Sequence, residues 1–333
     1  MTGYIVRRLL WMIPLLWAII TITFVLMHNV EGGPFSRERE LPPAALENLN
    51  RKYNLDKPVI SLDVWDSQYG IYIWDLLHGD LGVSFRSANQ PVSDLIADGF
   101  EVSAQLGVMA FLYAVVLGVT LGTISALNQN GILDYVGVFF ATAGAAMPNF
   151  ILATFLIIIF AVQLGWFDVL GWGGPTGLAL SDPSTWIGYF DPSAWDFRKI
   201  VLPVVALGTL PAAYFARITR ASLLEVLRQD YIRTARAKGL VEYRVILRHA
   251  MKNAMVPILT VMGPYFAFLV TGSFIVESIF QIPGVGRRFV DAVLVRDYGM
   301  IMGTVLFYAV FVAVANFVVD LLYALVDPRI RYT

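Results

Sequence analysis

The sequence contains no cysteine and only three histidines, at positions 28, 78 and 249. The absence of cysteine excludes disulfide bonds, thiolate nucleophiles and zinc–thiolate sites. The wide spacing of the histidines excludes an H-E-x-x-H zinc site, and no G-x-S-x-G segment marks a serine nucleophile. The sequence therefore predicts no metal site and no catalytic residue, and an intramembrane enzyme finds no support in these patterns.

Nucleotide-binding signatures are absent as well. The sequence has no G-x-x-x-x-G-K-[ST] segment and no Gly-Lys pair, so the chain lacks a P-loop for ATP. Gly284 and Gly286 lack the third glycine of a dinucleotide fingerprint, and they follow Pro283 in what reads as a turn. We therefore expect this chain to bind no cofactor of its own.

Charge is scarce in this chain. Charged residues make up only 15% of it, hydrophobic residues make up 57%, and the mean hydropathy is +0.66. This composition is too apolar for an ordinary water-soluble domain and predicts an all-α membrane protein. A helix of about 20 apolar residues spans a hydrocarbon core of about 30 Å. Six such helices are predicted at Leu9–His28, Val102–Leu127, Tyr135–Leu164, Ile200–Ala216, Val256–Phe280 and Ile301–Val326.

The six spans divide the chain into four predicted regions. Residues 1–28 form an N-terminal anchor helix, because the apolar run is too long for a cleaved signal and no small-x-small site follows it. Residues 29–99 form a long external loop. Residues 100–326 form a five-helix core that contains a cytoplasmic loop at 217–256, and residues 327–333 form a cytoplasmic tail.

Lys and Arg are distributed unevenly between the loops, and this asymmetry predicts the orientation in the membrane. The segment Arg217–Lys252, hereafter the basic segment, holds nine of the 24 Lys and Arg residues and carries a formal charge of +6. Arg7 and Arg8 precede the first span, and Arg329 and Arg331 follow the last. We therefore expect both termini and the basic segment to face the cytoplasm, and fixing the topology is the simplest explanation of the segment.

Two further features of the basic segment indicate that it binds a partner. Apolar residues recur in it at roughly helical spacing, which predicts an amphipathic helix. These residues are Leu223, Leu224, Leu227, Tyr231, Ala235 and Leu240. Ala235, Ala237 and Gly239 form a patch of small residues that permits close approach of another protein, and Gly239 is suited to end a helix.

Ionisable and helix-breaking residues within the spans suggest sites of function. Glu277 and Asp320 form either a proton or substrate-amine site, or an interhelical hydrogen bond or terminal salt bridge. Broken helices line cavities more readily than they face lipid. Asn149, Thr209 and Thr271, together with Glu277, are therefore candidate lining residues of a translocation pathway, although ordinary helix kinks explain the same residues.

The run DYIRTARAKGL at Asp230–Leu240 resembles the cytoplasmic coupling loop of permease subunits of ATP-binding-cassette (ABC) importers, in the variant of the peptide-uptake family. The resemblance extends over nearly the whole chain, including GSFIVESIFQIPGVG after the fifth span and DLLYALVDPRIRY near the end. The long external loop is similar to that of the B-type subunit of an oligopeptide permease. Arg233-Thr234-Ala235 replaces the Glu-Ala-Ala of the general permease motif, so no contact that requires this glutamate is implied.

The resemblance implies the type I ABC importer permease fold, with this chain forming half of the translocation pathway of an oligopeptide importer in a bacterial or archaeal cell membrane. The implied partners are a homologous second permease, two ATPase subunits that bind ATP and Mg, an external substrate-binding protein and the lipid bilayer, with no nucleic acid. The residues implied to couple to the ATPases are Tyr231, Arg233, Thr234, Ala235, Arg236, Ala237, Lys238 and Gly239.

Two alternatives stay open at the level of the residues. A self-contained proton-coupled carrier or channel would use Glu277 and Asp320 and would need no ATPase. The cargo of the importers that the chain resembles can be an oligopeptide, a dipeptide, a nickel complex or an oligosaccharide, and the residues do not choose among these.

Overall fold

The computed structural model describes residues 2–29, 34–35, 42–61, 63–87, 90–177 and 183–326. Regular structure in these residues is helical, apart from an isolated bridge between Val83 and Pro91. The predicted tail 327–333, which includes Arg329 and Arg331, lies outside the described residues, as does the side chain of Asp320.

Fourteen α-helices occur in the described part of the chain, numbered here in chain order, together with π-helical stretches at Ile157–Gln163 and Val245–Ala250 and two short 3₁₀ turns. They are α1 (Thr2–Asn29), α2 (Pro43–Lys52), α3 (Gln68–Leu77), α4 (Val92–Leu127), α5 (Ile132–Ala146), α6 (Asn149–Leu156), α7 (Pro183–Phe190), α8 (Phe197–Leu227), α9 (Asp230–Ala237), α10 (Glu242–Arg244), α11 (Met251–Val270), α12 (Phe274–Ile279), α13 (Val285–Val295) and α14 (Tyr298–Val326). Five helical stretches of the described residues are long and apolar enough to cross a membrane, or six if a bent pair counts as one span. The predicted all-α membrane architecture is therefore confirmed.

The centre of the bundle is the contact between α4 and α8, where small residues bring the two backbones together. A Cβ on Gly208 would lie 2.6 Å from the Ala110 carbonyl oxygen, and a Cβ on Gly122 would lie 2.5 Å from that of Ala216. Small residues at such contacts allow close packing in a membrane, where no hydrophobic effect drives helices together. The contact positions advance together along both helices, so α4 and α8 run in the same direction.

The third predicted span differs from the structure. The sequence predicts one helix over Tyr135–Leu164, whereas α5 and the helical stretch Asn149–Gln163 meet at an angle of 108°. The break lies at Met147-Pro148, where both residues adopt extended backbone angles. The proline ring disfavours helical geometry at the preceding residue, and Pro148 donates no backbone hydrogen bond to continue the helix.

The fourth and fifth predicted spans differ at their ends. The sequence ends the fourth span at Ala216, but α8 continues to Leu227, well into the basic segment. The fifth span was expected at Val256–Phe280, but α11 ends at Val270, and Gly272 adopts a φ of +103° that separates it from α12. Hydropathy marks where a helix leaves the apolar core, and it does not mark where the helix itself ends.

The described part of the region between α1 and α4 packs against the C-terminal half of α1. The Thr21 hydroxyl of α1 lies 2.7 Å from the Tyr69 hydroxyl of α3, and the Phe24 and Tyr69 rings pack edge to face at 5.2 Å. The α4 helix already begins at Val92, so the boundary predicted at residue 99 falls inside a helix. The predicted external loop therefore includes two helices of its own and the first two turns of α4.

Candidate functional site

The α9 helix lies within the basic segment and is the first part of the candidate site. Ile232 is fully buried and Ala235 is 7% exposed. Both side chains pack into a cluster with residues of neighbouring helices. The cluster consists of Ala126, Leu223, Ile232, Ala235, Val245, Ala250 and Ala254. One face of α9 thus packs into an apolar cluster with the helical stretch Val245–Ala250, α8, the start of α11 and the end of α4.

The end of α9 has the geometry of a Schellman cap. Gly239 adopts a φ of +76°, a left-handed backbone conformation that residues other than Gly and Asn rarely adopt. The Gly239 N–H donates to the Arg236 carbonyl oxygen at 2.9 Å, and the Leu240 N–H donates to the Ala235 carbonyl oxygen at 3.4 Å. The prediction that Gly239 ends a helix is therefore confirmed.

Two polar contacts attach α9 to the helices that follow it. The Asn253 amide of α11 donates to the Tyr231 hydroxyl at 2.7 Å. The Arg236 guanidinium donates to both carboxylate oxygens of Glu242, at 2.7 and 3.2 Å. The hydrogen bonds to Glu242 raise the pKa of the Arg236 guanidinium above its ordinary value. Both contacts span the turn after α9, so they hold the helix against the start of the next one.

Seven of the eight residues predicted for coupling are exposed, and the eighth, Ala235, is buried against the bundle. The exposed residues are Tyr231, Arg233, Thr234, Arg236, Ala237, Lys238 and Gly239. The sequence placed Tyr231 on the apolar face of α9, but Tyr231 is 41% exposed and its neighbour Ile232 takes the buried position. The solvent-facing surface of α9 is therefore small, basic and rigidly mounted.

Glu277, the candidate pathway residue on α12, lies in a buried cluster of hydrogen bonds. Its carboxylate accepts from the Ser103 hydroxyl at 2.9 Å, from the Ser273 N–H at 3.0 Å and from the Arg287 N–H at 3.1 Å. Ser103 in turn accepts from the Val285 N–H at 2.9 Å. The carboxylate thus caps the N-terminus of α13, where the helix dipole favours negative charge. These contacts are those of an interhelical hydrogen-bonding residue.

The glycines around Glu277 are required for this cluster. A Cβ on Gly272 would lie 2.7 Å from one carboxylate oxygen of Glu277, and a Cβ on Gly286 would lie 2.9 Å from the other. Gly284 also approaches the carboxylate closely. Because Ser103 lies 174 positions before Glu277 in the sequence, periodicity alone offers no signal for this contact.

The other predicted lining residues do not converge on one site in the described contacts. The Thr271 hydroxyl donates to the Phe268 carbonyl oxygen at 2.7 Å, close to Glu277. The Thr209 hydroxyl donates to the Val205 carbonyl oxygen at 2.6 Å, and the Thr209 methyl group faces α5. Asn149 is half-buried at the start of α6. Their role in a pathway stays a prediction, and in the described residues no group of three His, Asp or Glu side chains is arranged to hold a metal ion.

Comparisons with known proteins identify relatives of the whole chain. The model of the family "Binding-protein-dependent transport system inner membrane component" matches residues 118–332. The oligopeptide transport system permease protein OppB of Haemophilus influenzae is 41% identical over 332 residues and covers 100% of both chains. OppB of Escherichia coli strain K12 is 42% identical over the same length and share. The dipeptide transport system permease protein DppB of Bacillus subtilis is 42% identical over 331 residues, 99% of this chain and 98% of DppB.

A solved structure supports the fold. The chain is similar to one from the MetNI methionine ABC transporter in inward-facing conformations, with a TM-score of 0.54 and 17% identity. The similarity covers 70% of this chain and 96% of the MetNI chain. At this identity the likeness establishes the fold, which is that of a type I importer permease. The full-length relatives and the family model together show that the chain belongs to the family of inner membrane components of binding-protein-dependent transport systems.

Proposed function

We propose that this chain is one of two permease subunits of an ATP-driven peptide importer, and that ATPase subunits move it through α9. The observation that supports this function is the mounting of α9. Its basic face is open to solvent, while Ile232 and Ala235 fix the opposite face to the bundle. A force applied to the open face is therefore passed to α8 and α11 instead of being absorbed by a loose loop.

The remaining partners follow from this function. A homologous second permease completes the pathway, two ATPase subunits bind ATP and Mg, and an external substrate-binding protein delivers the peptide. The basic segment lies on the cytoplasmic side together with both termini, because short positive loops stay there. Asn149, Thr209 and Thr271 remain the candidates for the lining, whereas Glu277, predicted together with them, is fully buried. The enclosed carboxylate of Glu277 favours the ATP-driven importer over a proton-coupled carrier, which would need that carboxylate accessible.

The absence of cysteine gives a direct test of the coupling role. Thr234→Cys places the only thiol of this chain on the exposed face of α9, and Ala235→Cys places it on the buried face one residue later. In membranes that contain the whole importer, a short thiol-reactive crosslinker should join Thr234→Cys to an ATPase subunit. Ala235→Cys should give little product. Equal crosslinking of both variants, or none from Thr234→Cys in an intact complex, would contradict the assignment.

A further inference from the structure

A cavity of about 300 Å³ lies between α4, α13, α14 and the segment Ser84–Ser87. Its polar and charged lining residues are Ser84, Arg86, Ser87, Arg288, Asp291 and Asp297. We call it the Arg288 cavity. In the proposed orientation it opens on the outer side of the membrane, the side to which peptide is delivered.

Both carboxylates of the Arg288 cavity already have partners. Asp297 accepts from the Ser84 hydroxyl, from the Phe85 N–H at 3.1 Å and from the Met300 N–H at 3.2 Å. Asp291 pairs with Arg287 at 3.6 Å on the exposed side of α13. Neither carboxylate is hydrogen-bonded or ion-paired to Arg288 among the described residues, and Arg86 is the second basic residue of the lining.

Arg288 differs from these groups. Its Nε atom is buried and has no hydrogen-bond partner among the described residues. The stem of the side chain passes over α4 at Gly99, where a Cβ would lie 3.2 Å from the Arg288 Cδ. A buried donor without an acceptor is costly, and a guanidinium presents several N–H groups in a planar fork that matches a carboxylate. The residue is thus held in place for an anion.

We propose that Arg288 binds a carboxylate of the cargo peptide as the peptide enters the outer mouth of the pathway, an inference that rests on the proposed function. A guanidinium and a carboxylate form two parallel charge-assisted hydrogen bonds. The volume suits one terminal residue of a peptide, and Leu95 and Met300 supply apolar lining for its side chain. The cavity therefore makes the permease select for a free carboxylate, in addition to any selection by the binding protein.

The test compares two cargoes on the reconstituted importer, trialanine and trialanine amide, with one preparation of binding protein. Peptide-stimulated ATP hydrolysis and uptake are measured for the wild type, Arg288→Gln, Arg288→Lys and the control Arg51→Gln, which removes the same charge from an exposed residue that does not line the cavity. Because the binding protein is common to all variants, its own preference cancels when the acid-to-amide ratio of a variant is compared with that of the wild type. We expect Arg288→Gln to lower that ratio by about tenfold, as expected for the loss of a charge-assisted pair. Arg288→Lys should lower it by a smaller factor, and Arg51→Gln should leave it unchanged.

Several outcomes would overturn the proposal. An unchanged ratio in Arg288→Gln, with ATP hydrolysis intact, would show that Arg288 does not read the carboxylate. If Arg288→Gln lowers uptake of both cargoes equally and requires more binding protein for the same rate, the carboxylate that Arg288 binds belongs to the binding protein and not to the peptide. If Arg288→Gln fails to assemble, an unchanged ratio in Arg288→Lys counts against the proposal in the same way. A wild-type complex whose ATP hydrolysis ignores peptide would contradict the proposed function itself.

Discussion

Arg220 of α8 and Asp134 of α5 form a bidentate ion pair, with the Arg220 Nε and one terminal nitrogen each 2.7 Å from a different oxygen of the carboxylate. The Asp134 side chain is only 4% exposed, and it also accepts from the Ser125 hydroxyl and from the Asn130 N–H. The pair therefore joins α4, α5 and α8 shortly before α8 leads into α9. Displacement of α9 is expected to move these three helices together.

Replacing one partner of this pair should destabilise the protein more than replacing both. Arg220→Met or Asp134→Leu alone leaves a poorly solvated charge, which costs roughly 2–4 kcal/mol after allowance for the partial exposure of Arg220. The double variant Asp134→Leu/Arg220→Met removes both charges and should recover much of this loss. Thermal unfolding in detergent measures the cycle, and strictly additive effects would show that the pair contributes nothing.

The left-handed conformation of Gly239 predicts opposite results for two substitutions. A Cβ at this position would meet no atom within 4 Å, so any effect arises from the backbone conformation. Gly239→Asn should retain most transport, because Asn tolerates this conformation, whereas Gly239→Val should distort the end of α9 at a cost of roughly 1–3 kcal/mol. Peptide-stimulated ATP hydrolysis of the assembled importer is the readout. Equal activity of the two variants would mean that the cap does not matter for coupling.

The Arg236–Glu242 pair can be tested by exchanging the charges. Arg236→Glu should weaken coupling, because it places two carboxylates side by side. If the pair acts by fixing α9, Glu242→Arg introduced into this variant should restore activity. Failure of the exchange to restore activity, with normal amounts of protein in the membrane, would show that Arg236 itself contacts a partner.

The cluster around Glu277 predicts a large effect of a small substitution at Gly284. A Cβ there would contact the Glu277 carboxylate and the Ser103 hydroxyl, both of which are buried and already hydrogen-bonded. Gly284→Ala should therefore lower stability by about 2 kcal/mol or more, in the range of overpacked cores. Gly188→Ala is the matched control, because a Cβ at position 188 meets no atom within 4 Å. A similar unfolding temperature for both variants would contradict the close approach.

Much of the architecture follows from hydropathy, and the differences have identifiable causes. Runs of about 20 apolar residues are a strong signal, so the membrane-crossing helices were predicted. The bend at Pro148 was not predicted, since an internal proline is compatible with either a kink or a break. The sequence predicts an amphipathic helix from Leu223 to Leu240, but not that its first part continues the fourth span as α8 and that a break at Arg228-Gln229 separates it from α9.

The candidate site, like the fold, is predictable from the sequence only in part. Gly239 could be predicted as a helix end because glycine has a specific conformational role at that position. The sequence does not decide whether Tyr231 or its neighbour Ile232 is buried. Tyr231 lies four residues before Ala235 and Ile232 lies three residues before it, and both spacings place a side chain on the same helix face as Ala235. The partner of Glu277 on α4, Ser103, is 174 positions away in the sequence, and such a long-range contact leaves no local pattern.

The close contact between α4 and α8 restricts where this protein can change shape. Helices whose backbones meet through Gly122 and Gly208 cannot slide or rotate against each other without steric clash. We expect these two helices to stay together during transport. Met147-Pro148 and Gly272, where the helical hydrogen bonding is interrupted, are then the expected hinges for the helices that follow them. We therefore expect alternating access in this subunit to move α6 and α12 relative to the fixed pair of α4 and α8.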